Sequence, residues 1–136
     1  EKVLELGTGS GYQAAILAEL ARQVITTERI PKLTQSAKRT LEKLGYTNVQ
    51  VYLAEKTLGW QAEAPYDAIM VTAAAPRVPL ELLDQLTVGG RLVIPVGSRW
   101  EQDLLYVLRQ KEGFTAKNLT PCRFVPRVGE GAWGEE

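Results

Sequence analysis

The opening of the chain, Lys2 to Ala21, constrains the fold most. Lys2-Val-Leu-Glu-Leu6 reads as a short buried strand, Gly7-Thr-Gly-Ser-Gly11 as a sharp turn, and Tyr12 to Ala21 as a helix crowded with Ala and Leu. A strand that passes through glycines into a closely packing helix is the first half of a βαβ unit, and such units build parallel sheets. The alternation continues. Gln23-Val-Ile-Thr-Thr27 is a second strand rich in β-branched residues. Pro31 suits a first helical turn, and Leu33, Ala37, Leu41 and Leu44 form an apolar stripe at helical spacing that Gly45 ends. Val49 to Leu53 is a third strand, followed by a polar stretch, Ala54 to Ala64, that contains Trp60.

Asp67 to Thr72 reads as a fourth strand, Ala73-Ala-Ala-Pro76 as a loop and Pro79 to Leu86 as a short helix. Val88-Gly-Gly90 then turns the chain into a fifth strand, Arg91 to Val96. Asp103 to Gln110 and Phe114 to Phe124 are joined by Lys111-Glu-Gly113, a hairpin pattern. The expected class is therefore α/β: a mostly parallel central sheet with helices on both faces and a C-terminal antiparallel β-hairpin.

Composition narrows the chemistry. The 136 residues are 45% hydrophobic and 24% charged, enough for one packed core. Lys plus Arg and Asp plus Glu both total 16, so no global charge draws the chain to nucleic acid or an anionic membrane. There is no His, which excludes imidazole bases, Ser-His-Asp triads and His-ligated metals. The one Cys, Cys122, excludes an internal disulfide and a multi-Cys metal cluster, and reads as a packing residue rather than a nucleophile. No apolar run reaches the length of a membrane helix and no secretory pattern precedes the first strand, so the expectation is a cytoplasmic monomer with no metal, no membrane and no nucleic acid partner.

Ligands of open α/β sheets sit outside the carboxyl ends of the strands, near the switch in strand order. That rule gathers Gly7 to Gly11, Glu28, Ala54 to Lys56 and Thr72 to Pro76 on one rim. A dinucleotide fingerprint is G-x-G-x-x-G, but the sixth position from Gly7 is Tyr12. The pattern is instead E-x-G-x-G-x-G from Glu5 to Gly11. An acid at the end of the first strand can meet an ammonium group, and Glu28 at the end of the second can accept both hydroxyls of a ribose. S-adenosylmethionine (SAM) carries an ammonium, a carboxylate and a ribose.

On these residues the chain resembles the protein-L-isoaspartate O-methyltransferases, SAM-dependent protein-repair enzymes. The matching runs are Val3 to Ala15, Glu28-Arg-Ile-Pro31, Ala64-Pro-Tyr-Asp67, Val71-Thr-Ala-Ala-Ala-Pro76, Leu86 to Gly97 and Thr120-Pro-Cys-Arg-Phe-Val-Pro126. The resemblance implies a Rossmann-like SAM-dependent methyltransferase fold over residues 1–128; residues 129–136, Gly-rich and acidic, read as a flexible tail. It implies that Glu5, Gly7, Thr8, Gly9, Ser10 and Gly11 cradle the methionine end of SAM, that Glu28 with Arg29 holds the ribose, and that Ala54 and Glu55 border the adenine. Thr72, Ala73, Ala74, Ala75 and Pro76, with Arg123 and Val128, would line a cleft for isoaspartyl peptides.

The sequence departs from the family's pattern in two places. Ala54-Glu55-Lys56 stands where Gly-Asp-Gly is usual, and the family's upstream Gly-Gln-Thr-Ile-Ser-type motif, with its catalytic hydroxyl, is not among these residues. Thr72 is then the candidate hydroxyl at the rim, and no catalytic residue is assigned. Tyr12 opens the first helix, where it can touch SAM or pack; Trp60 and Trp133 read as packing or tail residues. The alternatives are a SAM-binding module with no activity of its own and a methyltransferase for another acceptor.

Overall fold

A computed structural model describes residues 1–122. Seven strands form one sheet among them: β1 (Lys2–Leu6), β2 (Gln23–Glu28), β3 (Val49–Leu53), β4 (Tyr66–Val71), β5 (Leu86–Gly97), β6 (Gln102–Arg109) and β7 (Phe114–Cys122). The spatial order is β3-β2-β1-β4-β5-β6-β7. Strands β1 to β5 run parallel, and β6 and β7 are antiparallel additions at one edge. The chain walks outward from β1 to β3, then returns to place β4 on the other side of β1. The switch point therefore lies between β1 and β4, beside the glycine-rich turn.

Alternation along each strand divides the core. Leu4 and Leu6 of β1 join Ile25, Ile69, Leu92 and Ile94 on one face, covered by Leu82 and Leu83 of the short helix α3 (Leu80–Leu83). The opposite face packs against α1 (Tyr12–Leu20) and α2 (Pro31–Lys43), through a cluster of Ala14, Leu41 and Val51. Helix α1 buries Ala14 and Ala18, whose small side chains let the helix lie close to the sheet. The side-chain amide of Asn48, just before β3, donates to the carbonyls of Ala18 and Ala21 at 2.8 and 3.1 Å, so the far end of α1 is tied down.

Three sequence expectations shift here. The buried stripe of α2 is Thr34, Ala37 and Leu41, whereas Leu33 and Leu44 are exposed. The Thr34 hydroxyl donates to the Ile30 carbonyl at 3.1 Å, which lets a polar residue take the inner position. The short helix ends at Leu83 rather than Leu86, because Leu86 already pairs with Tyr66 as the start of β5. Val88-Gly-Gly90 is then an irregularity inside β5 rather than a turn before it: the register passes from Tyr66 and Leu86 to Ala68 and Arg91. Gly89 takes a φ of 86° there.

The connection from β3 to β4 carries only one 3-10 turn, Gln61–Glu63. Trp60 stacks on Tyr52 at 4.3 Å, so it packs against the core as its sequence context suggests. Gln85, 1% exposed, holds this segment: its Oε1 accepts from the Trp60 amide at 2.9 Å and its Nε2 donates to the Leu58 carbonyl at 2.8 Å. No helix among the described residues is long and apolar enough to cross a membrane. Replacing Gln85 by Ala strips partners from two backbone groups, so Gln85→Ala is expected to lower the unfolding free energy by about 2–4 kcal/mol in urea titrations.

Candidate functional site

The glycine-rich turn is drawn across the ends of β1 and β2. The amides of Gly7 and Thr8 donate to the Thr27 carbonyl at 2.9 and 3.1 Å. Gly7 has a φ of 101°, and a Cβ there would stand 2.5 Å from Thr72 Oγ1. Only glycine meets both conditions. The Thr72 hydroxyl donates to the Leu6 carbonyl at 2.9 Å, with Gly7's at 3.2 Å. Its proton is committed to the backbone, so Thr72 clamps β4 to the turn and is not poised as an acid or base. Gly11, with a φ of 91°, leads directly into α1, which has no side-chain N-cap and no acidic residue in its first turn. The positive end of the helix thus faces the rim.

Glu28 is 7% exposed at the end of β2. Its Oε1 accepts from the Gly9 amide at 2.8 Å and its Oε2 from the Ile30 amide at 2.9 Å. Each carboxylate oxygen keeps a further lone pair, so a vicinal diol can dock without breaking either bond. The backbone of Ala54 is pinned beside it, donating to the Glu28 carbonyl at 2.8 Å. Among the described residues no non-glycine has a positive φ. Ala54 and Lys56 therefore stand where glycines are usual without backbone strain. Arg29, Glu55 and Lys56 are exposed on the same rim, as is Ser10 on the turn.

Ile30 and Leu53 are 42% and 47% exposed on either side of this point. Sequence reasoning did not single them out. The signal was available, because each is an apolar residue at or just past the end of a strand that leads onto the rim. Such a pair offers a flat aromatic base an apolar wall.

Glu5 lies elsewhere than its sequence reading implied. It is fully buried beneath the turn rather than at its mouth. Its Oε1 accepts from the Thr26 hydroxyl at 2.7 Å, and Thr26 is 2.7 Å from the Thr8 hydroxyl. Its Oε2 has no partner. Burial raises the Glu5 pKa to about 7, against the opposing Thr26 hydrogen bond and with a further upward push from the charge of Glu28.

The other half of the rim is more closed than expected. Ala74 and Ala75 are fully buried, so their side chains cannot line a cleft. Ala75 instead bonds the end of β5, through Pro95 and Gly97 at 3.0 Å each. Thr72, Ala73 and Pro76 remain half-buried at the surface. Tyr12 is 73% exposed at the head of α1, so it does not serve as a packing residue among the described residues. Arg123, Val128, the tail 129–136 and Trp133 lie outside the described residues, as does the Cys122 side chain. Among the described residues no three His, Cys, Asp or Glu side chains cluster to hold a metal ion.

This arrangement has known relatives. The family model for protein-L-isoaspartate(D-aspartate) O-methyltransferase matches residues 1–132. The chain belongs to this family. A protein-L-isoaspartate O-methyltransferase of Geobacter metallireducens is 56% identical over 137 residues, covering 100% of this chain and 63% of that protein. A second, from Syntrophobacter fumaroxidans, is 56% identical over 133 residues and covers 98% of this chain and 62% of its own length. The chain thus spans about three-fifths of these curated relatives. A solved protein-L-isoaspartate O-methyltransferase superposes with a TM-score of 0.87 at 30% identity, covering 96% of this chain and 43% of that one. A putative family member from Plasmodium falciparum, solved with S-adenosyl-L-homocysteine (SAH), gives a TM-score of 0.71 at 26% identity, covering 91% and 64%. The sheet order and the antiparallel edge strands are those of a Rossmann-like methyltransferase fold.

The buried acid gives the family's glycine turn a measurable signature in this chain. Unfolding returns the Glu5 carboxyl to water, where it titrates near 4.5 rather than about 7. The folded chain holds the proton more tightly in that interval. Stability is therefore full below about pH 4.5 and falls as pH rises through 7, by about 3 kcal/mol at most. Glu5→Gln carries no titrating group, so denaturant titrations at pH 5 and pH 8 should show a smaller loss for the variant than for the wild type.

Proposed function

We propose that the protein transfers a methyl group from SAM to the free carboxylate of isoaspartyl residues in damaged peptides, as a protein-L-isoaspartate O-methyltransferase. The observation that carries this reading is the family match over residues 1–132, joined to a rim whose glycine turn and Glu28 carboxylate suit the two ends of SAM. Glu28 would take the ribose hydroxyls, the turn from Gly7 to Gly11 and the head of α1 the methionine carboxylate, and Ile30 and Leu53 the adenine faces. Arg29, Ala54 and Glu55 border that pocket. SAM would supply a methyl group on a sulfonium, which is electrophilic without any metal.

The acceptor chemistry fits a chain without His. A carboxyl of this kind titrates near 4, so at neutral pH it is already an anion and a nucleophile. Its oxygen forms the new bond to the methyl carbon while the carbon–sulfur bond breaks and its electron pair stays on sulfur. The products are a methyl ester and SAH, and no proton moves. Opposite charges vanish in the step, so exclusion of water and in-line alignment favour it. The protein's tasks are to align and to desolvate, and Thr72, Ala73 and Pro76, which keep surface exposure, would help align the peptide. The neighbouring backbone amide nitrogen can then attack the ester carbonyl, losing its proton and expelling methanol to close a succinimide, which hydrolysis opens in part to normal aspartate. A cytoplasmic monomer acting on isoaspartyl proteins completes the reading.

One observation favours a second reading. Because the chain spans about three-fifths of its curated relatives, these residues alone can form a cofactor-binding module without turnover. Labelled SAM with an isoaspartyl peptide and its aspartyl twin separates the two. Methylation of the isoaspartyl peptide alone supports the enzyme; SAM binding without label transfer supports the module; equal labelling of both peptides overturns the stated specificity. Glu28→Ala removes the diol's acceptor and frees the Gly9 amide, so SAM affinity measured by calorimetry should fall by about 10–100-fold, and unchanged affinity would place the ribose elsewhere.

A further inference from the structure

Glu5 is the buried ionisable group that methyl transfer, as written above, leaves without a task. The residues that face it on the neighbouring strands, helix and turn are neutral. Thr26 stands across from it on β2 and Met70 on β4. Helix α1 reaches the same face through Gln13, whose amide donates to Met70 Sδ at 3.0 Å. Thr8 closes the pocket from the turn. The charged group that acts on Glu5 is Glu28, which disfavours its ionisation.

The hydroxyls between Glu5 and the turn have a fixed sense. A hydroxyl has one proton, and that of Thr26 goes to Glu5 Oε1 at 2.7 Å. Thr8 must therefore be the donor to Thr26, so the row runs Thr8 to Thr26 to Glu5. The partnerless Oε2 is a poor place for negative charge. Two of the three residues lie on strands and the third on the turn itself.

We propose that Glu5 is a positioning residue for a cationic cofactor: it holds the glycine-rich turn through Thr26 and Thr8, binds its proton more tightly in the free protein than beside a bound cation, and releases it to solvent when a positively charged ligand fills the turn. This rests on the SAM reading given above and deepens it. SAM carries a sulfonium and an ammonium against one carboxylate, a net charge of plus one. SAH, with a thioether, has none. A cation above the turn offsets Glu28 and favours the ionised Glu5, which in turn strengthens the pull on the Thr26 and Thr8 hydroxyls. After methyl transfer the cation is gone and Glu5 takes its proton back. The residue thus distinguishes cofactor from product by charge, without touching the reacting atoms. The chain has no His, so no imidazole masks a proton exchanged near neutral pH.

The test is calorimetry of the chain with SAM and with SAH near pH 7, in phosphate and in Tris, whose ionisation heats differ. Near pH 7 Glu5 of the wild type should release up to about half a proton on binding SAM and less on binding SAH, and the SAM affinity should rise by about 3–10-fold from pH 6 to pH 8. Glu5→Gln should lose that part of the release, the ligand's own amine contributing equally to both proteins. Equal proton release in wild type and variant overturns the role of Glu5 while leaving the SAM site standing. A wild-type chain that takes up no SAM overturns the cofactor reading and this proposal together. Thr26→Val keeps the carboxyl but removes the hydrogen bond that lowers its pKa, so the midpoint of the pH–affinity curve should move upward. An unmoved midpoint overturns the coupling through Thr26.

Discussion

The approach of Gly7 to Thr72 sets the shape of the rim. The Thr72 hydroxyl, just past the end of β4, reaches over the end of β1 and bonds the Leu6 carbonyl at 2.9 Å, in space that any side chain on Gly7 would fill. With that contact made, the turn can lean only toward β2, where Thr27 and Glu28 receive its amides. The Glu28 carboxylate, the turn and the head of α1 are then fixed relative to one another by backbone bonds. Little of the arrangement depends on long, mobile side chains, which suits a site whose proposed work is alignment.

The two acids of the site show how depth decides role. Glu5 and Glu28 lie close in the fold, each at or near the end of a neighbouring parallel strand. Glu28 receives two backbone amides, which satisfy both oxygens. Glu5 receives one hydroxyl, and its other oxygen faces no donor. The first has both oxygens engaged yet keeps lone pairs for a ligand; the second is held near the point of losing its charge.

Much of this was legible in the residues. The β-branched run before Glu28, the glycine spacing after Leu6 and the order of alternating elements led to the parallel sheet and its rim, because each rests on local backbone preference. What was not legible depended on tertiary neighbours. Nothing in the spacing of Leu33, Ala37, Leu41 and Leu44 reveals that Thr34 takes the inner position, since that follows from a hydroxyl finding the Ile30 carbonyl. The β5 boundary was hidden because Val88-Gly-Gly90 looks like a turn until Tyr66 pairs with Leu86. Glu5 was read from its place in a motif, and strand alternation sends it inward. Ala74 and Ala75 likewise sit in a specific motif, yet serve the packing beneath the rim.

The bonds of Asn48 give α1 a mechanical character. The helix spans nine residues, Tyr12–Leu20, and is held at both ends: by the glycine turn at its head and by the Asn48 amide at its tail. A short rod clamped at both ends resists tilting far better than one clamped at a single end. The anion-attracting head of α1 therefore keeps its aim through an anchor roughly 13 Å away, at 1.5 Å of rise per residue. Stiffness at the rim is in part a property of the opposite edge of the sheet.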